Sequence, residues 1–155
     1  MARTSRPDPE ALDRILRQQM DVIARHQALA AGVTPSALRH RLRIGGPWRT
    51  LLPGVYIALT GTPTTLQKEM AALLYAGSGS VITGPAALRC HHIRGTSSEL
   101  VDVLVPATRK RRDAAFVRLH RTTRCPSGSG RPARCATARC ATPRRRALSP
   151  IPCAR

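Results

Sequence analysis

Aromatic residues are nearly missing from this chain: one Trp, two Tyr and one Phe among 155 residues. Any core must therefore be built from Leu, Val, Ile and Ala. Acids are scarce too. Eight Asp and Glu face 26 Lys and Arg, a formal charge of +18, which points to a polyanionic partner, with nucleic acid as the first candidate. No apolar run follows the first arginines as in a signal peptide, and none is long enough to span a bilayer, so the expected location is the cytoplasm and no membrane contact is expected. Disulfides are not expected there.

The last 31 residues lack still more. Residues 125–155 contain no Asp, Glu, Lys, Phe, Tyr, Trp, Val or Met, and their only large aliphatics are Leu148 and Ile151. Such a segment cannot bury enough apolar surface to offset the entropy of ordering, so disorder is expected. It holds seven Arg and no acid; the first 124 residues keep a charge of +11 without it. Cys125, Cys135, Cys140 and Cys153 are spaced by nine, four and twelve residues with no His nearby, unlike the close ligand pairs of a zinc site. A basic nucleic-acid arm fits better than zinc. A third reading fits better again. With GC-rich codons, Cys125–Thr137 can be back-translated so that another frame yields Pro-Glu-Arg-Val-Trp-Ala-Ala-Gly-Pro-Val-Arg-Tyr, which resembles ordinary globular sequence. The expectation is an out-of-frame tail and a longer protein cut off after about residue 124.

Ahead of the tail, the chain carries clear local signals. Asp8-Pro9-Glu10 begins a helix over roughly 9–19, with Leu12, Ile15 and Leu16 at helical spacing. Val22-Ile23 reads as a short buried connection. A second helix follows over Arg25–Ala31, with Ala28 and Leu29 inward. Its cap position is Ala24, which costs about 1 kcal/mol relative to Ser or Thr. Gly32 supplies a tight turn, Thr34 caps a third helix and Pro35 fills its first turn. The third helix is expected over 34–44, ended by Gly45-Gly46. At 100° per residue, Leu38 and Leu42 share its inner face, flanked by Ala37. Ser36, Arg39, His40 and Arg43 gather on the outer face, and Arg41 falls toward the apolar side.

Two short strands, Trp48–Leu52 and Val55–Leu59, flank a Pro53-Gly54 turn. Turn, cap, basic face and hairpin occur in the order of a winged helix-turn-helix, which lays its second helix in a DNA major groove. Ser36, Arg39, His40 and Arg43 are then the candidate base or phosphate contacts, with Arg49 on the wing meeting phosphate. Because these features occur together and in order, DNA binding is favoured over a merely solvated basic face.

Residues 62–65 read as a linker. Thr65 caps an amphipathic helix to about Ala76, with Leu66, Met70, Leu73 and Leu74 inward. Val81-Ile82 is a brief strand, and Gly84–His91 a short helix with Ala87 and Leu88 buried. Leu100–Val105 is a strong strand with Ala115–His120 as its partner. Between them, Arg109, Lys110, Arg111 and Arg112 sit in an expected hairpin loop. That run can clamp phosphate or meet an acidic partner; equally it is a charged turn that keeps strand edges soluble. Cys90-His91-His92 has no matching ligand pair elsewhere, so no metal is expected. Gly77-Ser78-Gly79 fits no phosphate-loop pattern, and no acid has a visible partner for acid–base work. Neither catalytic residues nor a cofactor are expected. The fold class is α+β: a winged helix-turn-helix over 1–61, a small α/β region over 62–124 and a disordered Arg/Cys/Pro-rich tail over 125–155.

The stretch from about Val22 to His120 resembles the AbiEi-type antitoxin family of type IV toxin–antitoxin systems. The resemblance rests on Ile23-Ala-Arg-His-Gln-Ala-Leu-Ala-Ala-Gly-Val, Ser36-Ala-Leu-Arg-His-Arg-Leu, Gly46-Pro-Trp-Arg and Pro53-Gly-Val-Tyr. It continues through Ala72-Leu-Leu-Tyr-Ala-Gly, Val81-Ile-Thr-Gly-Pro-Ala-Ala-Leu and Val101-Asp-Val-Leu-Val-Pro. It implies a winged-helix N-terminus that binds double-stranded operator DNA and represses its own operon, and a following region that counters a partner nucleotidyltransferase toxin. Many relatives continue into a further C-terminal domain, some of it endonuclease-like; no such domain is expected within these 155 residues. Two other functions stay open: an interaction module that neutralises such a toxin without binding DNA, and the remnant N-terminal half of an endonuclease-like protein.

Overall fold

Asp8 and Pro9 start the first helix as their chemistry requires. Asp8 Oδ1 accepts the Ala11 N–H at 3.0 Å, and Pro9, lacking an N–H, fills the first helical position where none is needed. The computed structural model describes residues 8–91, 93 and 98–124. The tail over 125–155, with its expected disorder and frame change, lies outside them. Chain order is α1 (Pro9–Gln18), β1 (Val22–Ala24), α2 (Arg25–Ala30), α3 (Pro35–Arg41), β2 (Arg49–Leu52), β3 (Val55–Ile57), α4 (Thr65–Ala76), β4 (Val81–Thr83), α5 (Gly84–Cys90), β5 (Val101–Pro106) and β6 (Val117–Thr122). The fold is mixed α+β with two three-stranded sheets, ordered β1-β3-β2 and β4-β5-β6.

Val22-Ile23 is a strand and not a connection. β1 pairs antiparallel with β3 from Val22↔Ile57 to Ala24↔Val55. A three-residue apolar run carries no period, and only its distant partner reveals it. β2 joins β3 through the Pro53-Gly54 turn, with a bulge between Thr50 and Leu52. Alternation along these strands feeds two cores. Val22, Ala24, Val55 and Ile57 pack with α4, while Ile23 and Tyr56 pack with Leu12, Ala28, Val33, Leu38 and Trp48.

α4 packs against strands of both sheets, and this corrects its expected one-sided face. Residues 69–76 are all buried, Met70, Leu73 and Leu74 among them, whereas Leu66 is 59% exposed. The cap is Thr64, one residue earlier than expected: its Oγ1 accepts from Gln67 N–H and Gln67 Oε1 accepts from Thr64 N–H. In α5, among the described side chains, Ala86 is buried, Ala87 half-buried and Leu88 exposed. The helix turns instead toward α4, where Arg89 Nη2 meets the buried Glu69 Oε1 at 2.5 Å.

β4 pairs antiparallel with β5, but β6 pairs parallel with β5, from Val101↔Val117 to Pro106↔Thr122. The Arg109–Arg112 run is therefore not in a hairpin loop. It lies in the connection that carries the chain back to the start of β5, and a reversal at Ala115, with φ +46°, sets β6 in the same direction. Among the described residues, no helix is long and apolar enough to cross a membrane.

Candidate nucleic-acid interface

From Val22 to Lys68 the chain contains no Asp or Glu but five Arg and a Lys. This acid-free stretch carries α2, α3 and the β2–β3 hairpin. α2 starts without a capping side chain, as Ala24 implies. Other groups compensate: Arg25 N–H donates to the Gly54 carbonyl of the hairpin turn at 2.8 Å, and Ala24 N–H donates to the Gln27 side-chain Oε1 at 3.0 Å. α2 ends in a Schellman arrangement. Val33 N–H reaches the Ala28 carbonyl, Gly32 N–H reaches the Leu29 carbonyl, and Gly32 takes φ +83°. That turn delivers the chain to Thr34, whose Oγ1 accepts the Ala37 N–H at 3.1 Å and opens α3.

Ser36, Arg39 and His40 are all exposed on α3, opposite the buried Leu38. Their i, i+3, i+4 spacing puts them on one face. Arg41 is half-buried on the other side, its guanidinium 4.9 Å from the centre of the buried Trp48 ring.

Arg43 is not on the helix. α3 ends at Arg41 and not at residue 44. Gly46 N–H donates to the Arg43 carbonyl at 2.8 Å, Trp48 N–H donates to the Arg41 carbonyl at 3.1 Å, and Gly45 takes φ +78°. These bonds fold the chain into a turn that begins right after Arg41 and contains both glycines. Arg43 is exposed in that turn, one step past the helix cap at Leu42.

Arg49 opens β2 and is exposed. Its Nη1 donates to the Thr60 and Gly61 carbonyls at 3.0 and 3.2 Å, tying β2 to the segment after β3. The second basic group is strongly held. Arg109 Nη2 donates to the Ser78 carbonyl and Oγ at 3.0 and 2.8 Å, and the Arg111 guanidinium stacks 4.8 Å from the Tyr75 ring centre. Tyr75 O–H donates to the Arg112 carbonyl at 2.9 Å, while Arg121 donates to the carbonyls of Arg109 and Arg111. Lys110 and Arg112 are exposed.

No family model and no curated protein matches this chain.

Sequence reasoning missed Arg25 and His26. Both are exposed at the start of α2 and face a cleft with Arg109 and Arg111. The signal was present as two basic residues directly after a cap position, but the second helix was read for its buried side only. Several acids are engaged in structural contacts: Asp8 caps α1, Glu69 meets Arg89, Asp102 Oδ1 meets His120 Nε2 at 2.7 Å, and Asp113 accepts the Leu119 N–H at 2.8 Å. Of the Cys90-His91-His92 group, the Cys90 side chain and His92 lie outside the described residues.

Proposed function

We propose that this protein is a DNA-binding transcriptional autoregulator of the antitoxin type, with its N-terminal part acting as a winged helix-turn-helix. The observation that carries the reading is the exposed Ser36-Arg39-His40 face of a well-capped helix inside a stretch of 47 residues without an acid. The order α1-β1-α2-α3-β2-β3, with strand order β1-β3-β2, supports it.

In this reading α3 enters the major groove. Its seven residues are about 10 Å long, matched to a groove about 12 Å wide. Arg39 takes guanine O6 and N7, and Ser36 and His40 add single hydrogen bonds to bases or phosphate. Arg43, just past the helix, meets phosphate, and Arg49 does so from the hairpin. Leu38 shares a buried cluster with Trp48, Ile23 of β1, Ala28 of α2 and Tyr56 of β3, so α3 is held in place and little freedom is lost on binding. Autoregulation follows if the site lies upstream of the gene itself.

The test is a fluorescence titration of the chain with duplex DNA taken from upstream of its own gene, over a series of salt concentrations. Phosphate contacts by Arg43 and Arg49 give a log–log slope of about −2, at about −0.9 per contact. A slope near zero would reject DNA as the partner.

A further inference from the structure

An open cleft of about 560 Å³ lies where α2 and the β2–β3 turn meet the C-terminal end of α4 and the Arg109–Arg112 connection. Its accessible apolar lining is Leu29 and Pro53; Val55 and Leu74 lie beneath them, 1% and 3% exposed. Its charge comes from Arg25, His26, Arg109 and Arg111, and among the described residues no acid lines it. Two of these cations are held in advance. Arg109 is fixed by both oxygens of Ser78, and Arg111 is stacked on Tyr75. Pre-ordered guanidiniums lose less rotamer freedom when they take a carboxylate, and their planar forks match it.

The shape separates this cleft from the α3 face. A DNA duplex is wide and convex, and its phosphate edge has nothing to offer Leu29 and Pro53. An aliphatic side chain flanked by carboxylates satisfies both halves of the lining at once. The volume is that of a small-ligand pocket, suited to a few residues of extended chain.

We propose that this cleft binds an acidic segment of a partner protein. One aliphatic side chain of that segment rests on Leu29 and Pro53, and neighbouring carboxylates pair with Arg25, Arg109 and Arg111. None of Ser36, Arg39, His40, Arg43 and Arg49 lines it.

The experiment is a fluorescence-anisotropy titration of the whole 155-residue chain with a labelled, acetylated and amidated peptide, Glu-Asp-Leu-Leu-Glu-Asp. Two control peptides replace the acids by Lys or the leucines by Ala. The acidic leucine peptide is expected to bind, and both controls to bind about tenfold more weakly or worse. The double variant Arg25→Ala/Arg111→Ala, checked for an unchanged melting profile, is expected to lose about tenfold or more for the same reason. If that variant melts early, Arg25→Ala alone, at an exposed helix start, serves in its place. Arg39→Ala/Arg43→Ala leaves peptide binding intact, so failure of DNA recognition and failure of the cleft are read separately. Three results would overturn the proposal: no binding at millimolar peptide, equal binding of the alanine-substituted peptide, or displacement by duplex DNA with matched loss of DNA affinity in the cleft variant.

Discussion

Arg41 and Trp48 are joined twice. The Arg41 guanidinium lies 4.9 Å from the Trp48 ring centre, and the Arg41 carbonyl accepts the Trp48 N–H at 3.1 Å. This pair locks the last turn of α3 to the start of the hairpin. It also explains why one arginine among four basic neighbours points inward. Trp48 is 6% exposed, so Trp48→Ala is expected to cost about 3–5 kcal/mol in urea denaturation. Arg41→Ala loses the ring contact and the packing of its stem, about 1 kcal/mol. Equal stability of wild type and Trp48→Ala would show that the ring does not anchor α3.

The two glycines after α3 do different jobs. Gly45 needs its positive φ but faces open space, whereas a Cβ on Gly46 would sit 2.3 Å from the Arg41 carbonyl oxygen. Backbone cannot move aside cheaply there. Gly45→Asn is expected to be tolerated, since Asn visits this region at small cost. Gly46→Ala must open the turn that ends the helix and sets Arg43, at a cost of about 2 kcal/mol or more. Thermal melts of the two variants check this; equal melting temperatures would contradict it.

Glu69 and Arg89 connect α4 to α5, which share one core through Met70, Leu73 and Ala86. Glu69 is 5% exposed, so Arg89→Leu leaves a buried carboxylate without its cation. The expected loss is about 3 kcal/mol. The double variant Glu69→Leu/Arg89→Leu removes the stranded charge and is expected to recover most of it. Chemical denaturation of the single and double variants decides this. A single variant as stable as wild type would show that the carboxylate is not confined.

Legibility followed the range of the interactions. Asp8-Pro9 and Thr34-Pro35 were readable because a cap bonds three residues ahead. The inward turn of Arg41 was readable because helical geometry fixes it locally. The end of α3 was not. It is set by Trp48 reaching back to Arg41, and the glycines marked only the far side of the turn. β1 escaped because Val22–Ala24 becomes a strand only beside β3. The direction of β6 escaped for the same reason, since an apolar alternation is identical in parallel and antiparallel pairs. Leu66 was placed inward by assuming one buried face. α4 lies against both sheets, and its exposed end is the N-terminal one. The cleft needed four segments to converge, so Arg25 and Arg111 could not be associated from spacing alone.

DNA recognition by α3 is tested most directly by comparing Arg39→Ala/Arg43→Ala with Arg41→Ala. Affinity is measured at one fixed salt concentration for duplex DNA from upstream of the gene. The double variant is expected to lose about tenfold to a hundredfold in affinity, at about 1–3 kcal/mol per lost base contact. Its stability should stay within about 0.5 kcal/mol, because Arg39 and Arg43 are exposed. Arg41→Ala is expected to show the reverse, lower stability with nearly full affinity. Undiminished binding by the double variant, with the fold intact, would contradict the assignment of α3 as the DNA-reading helix.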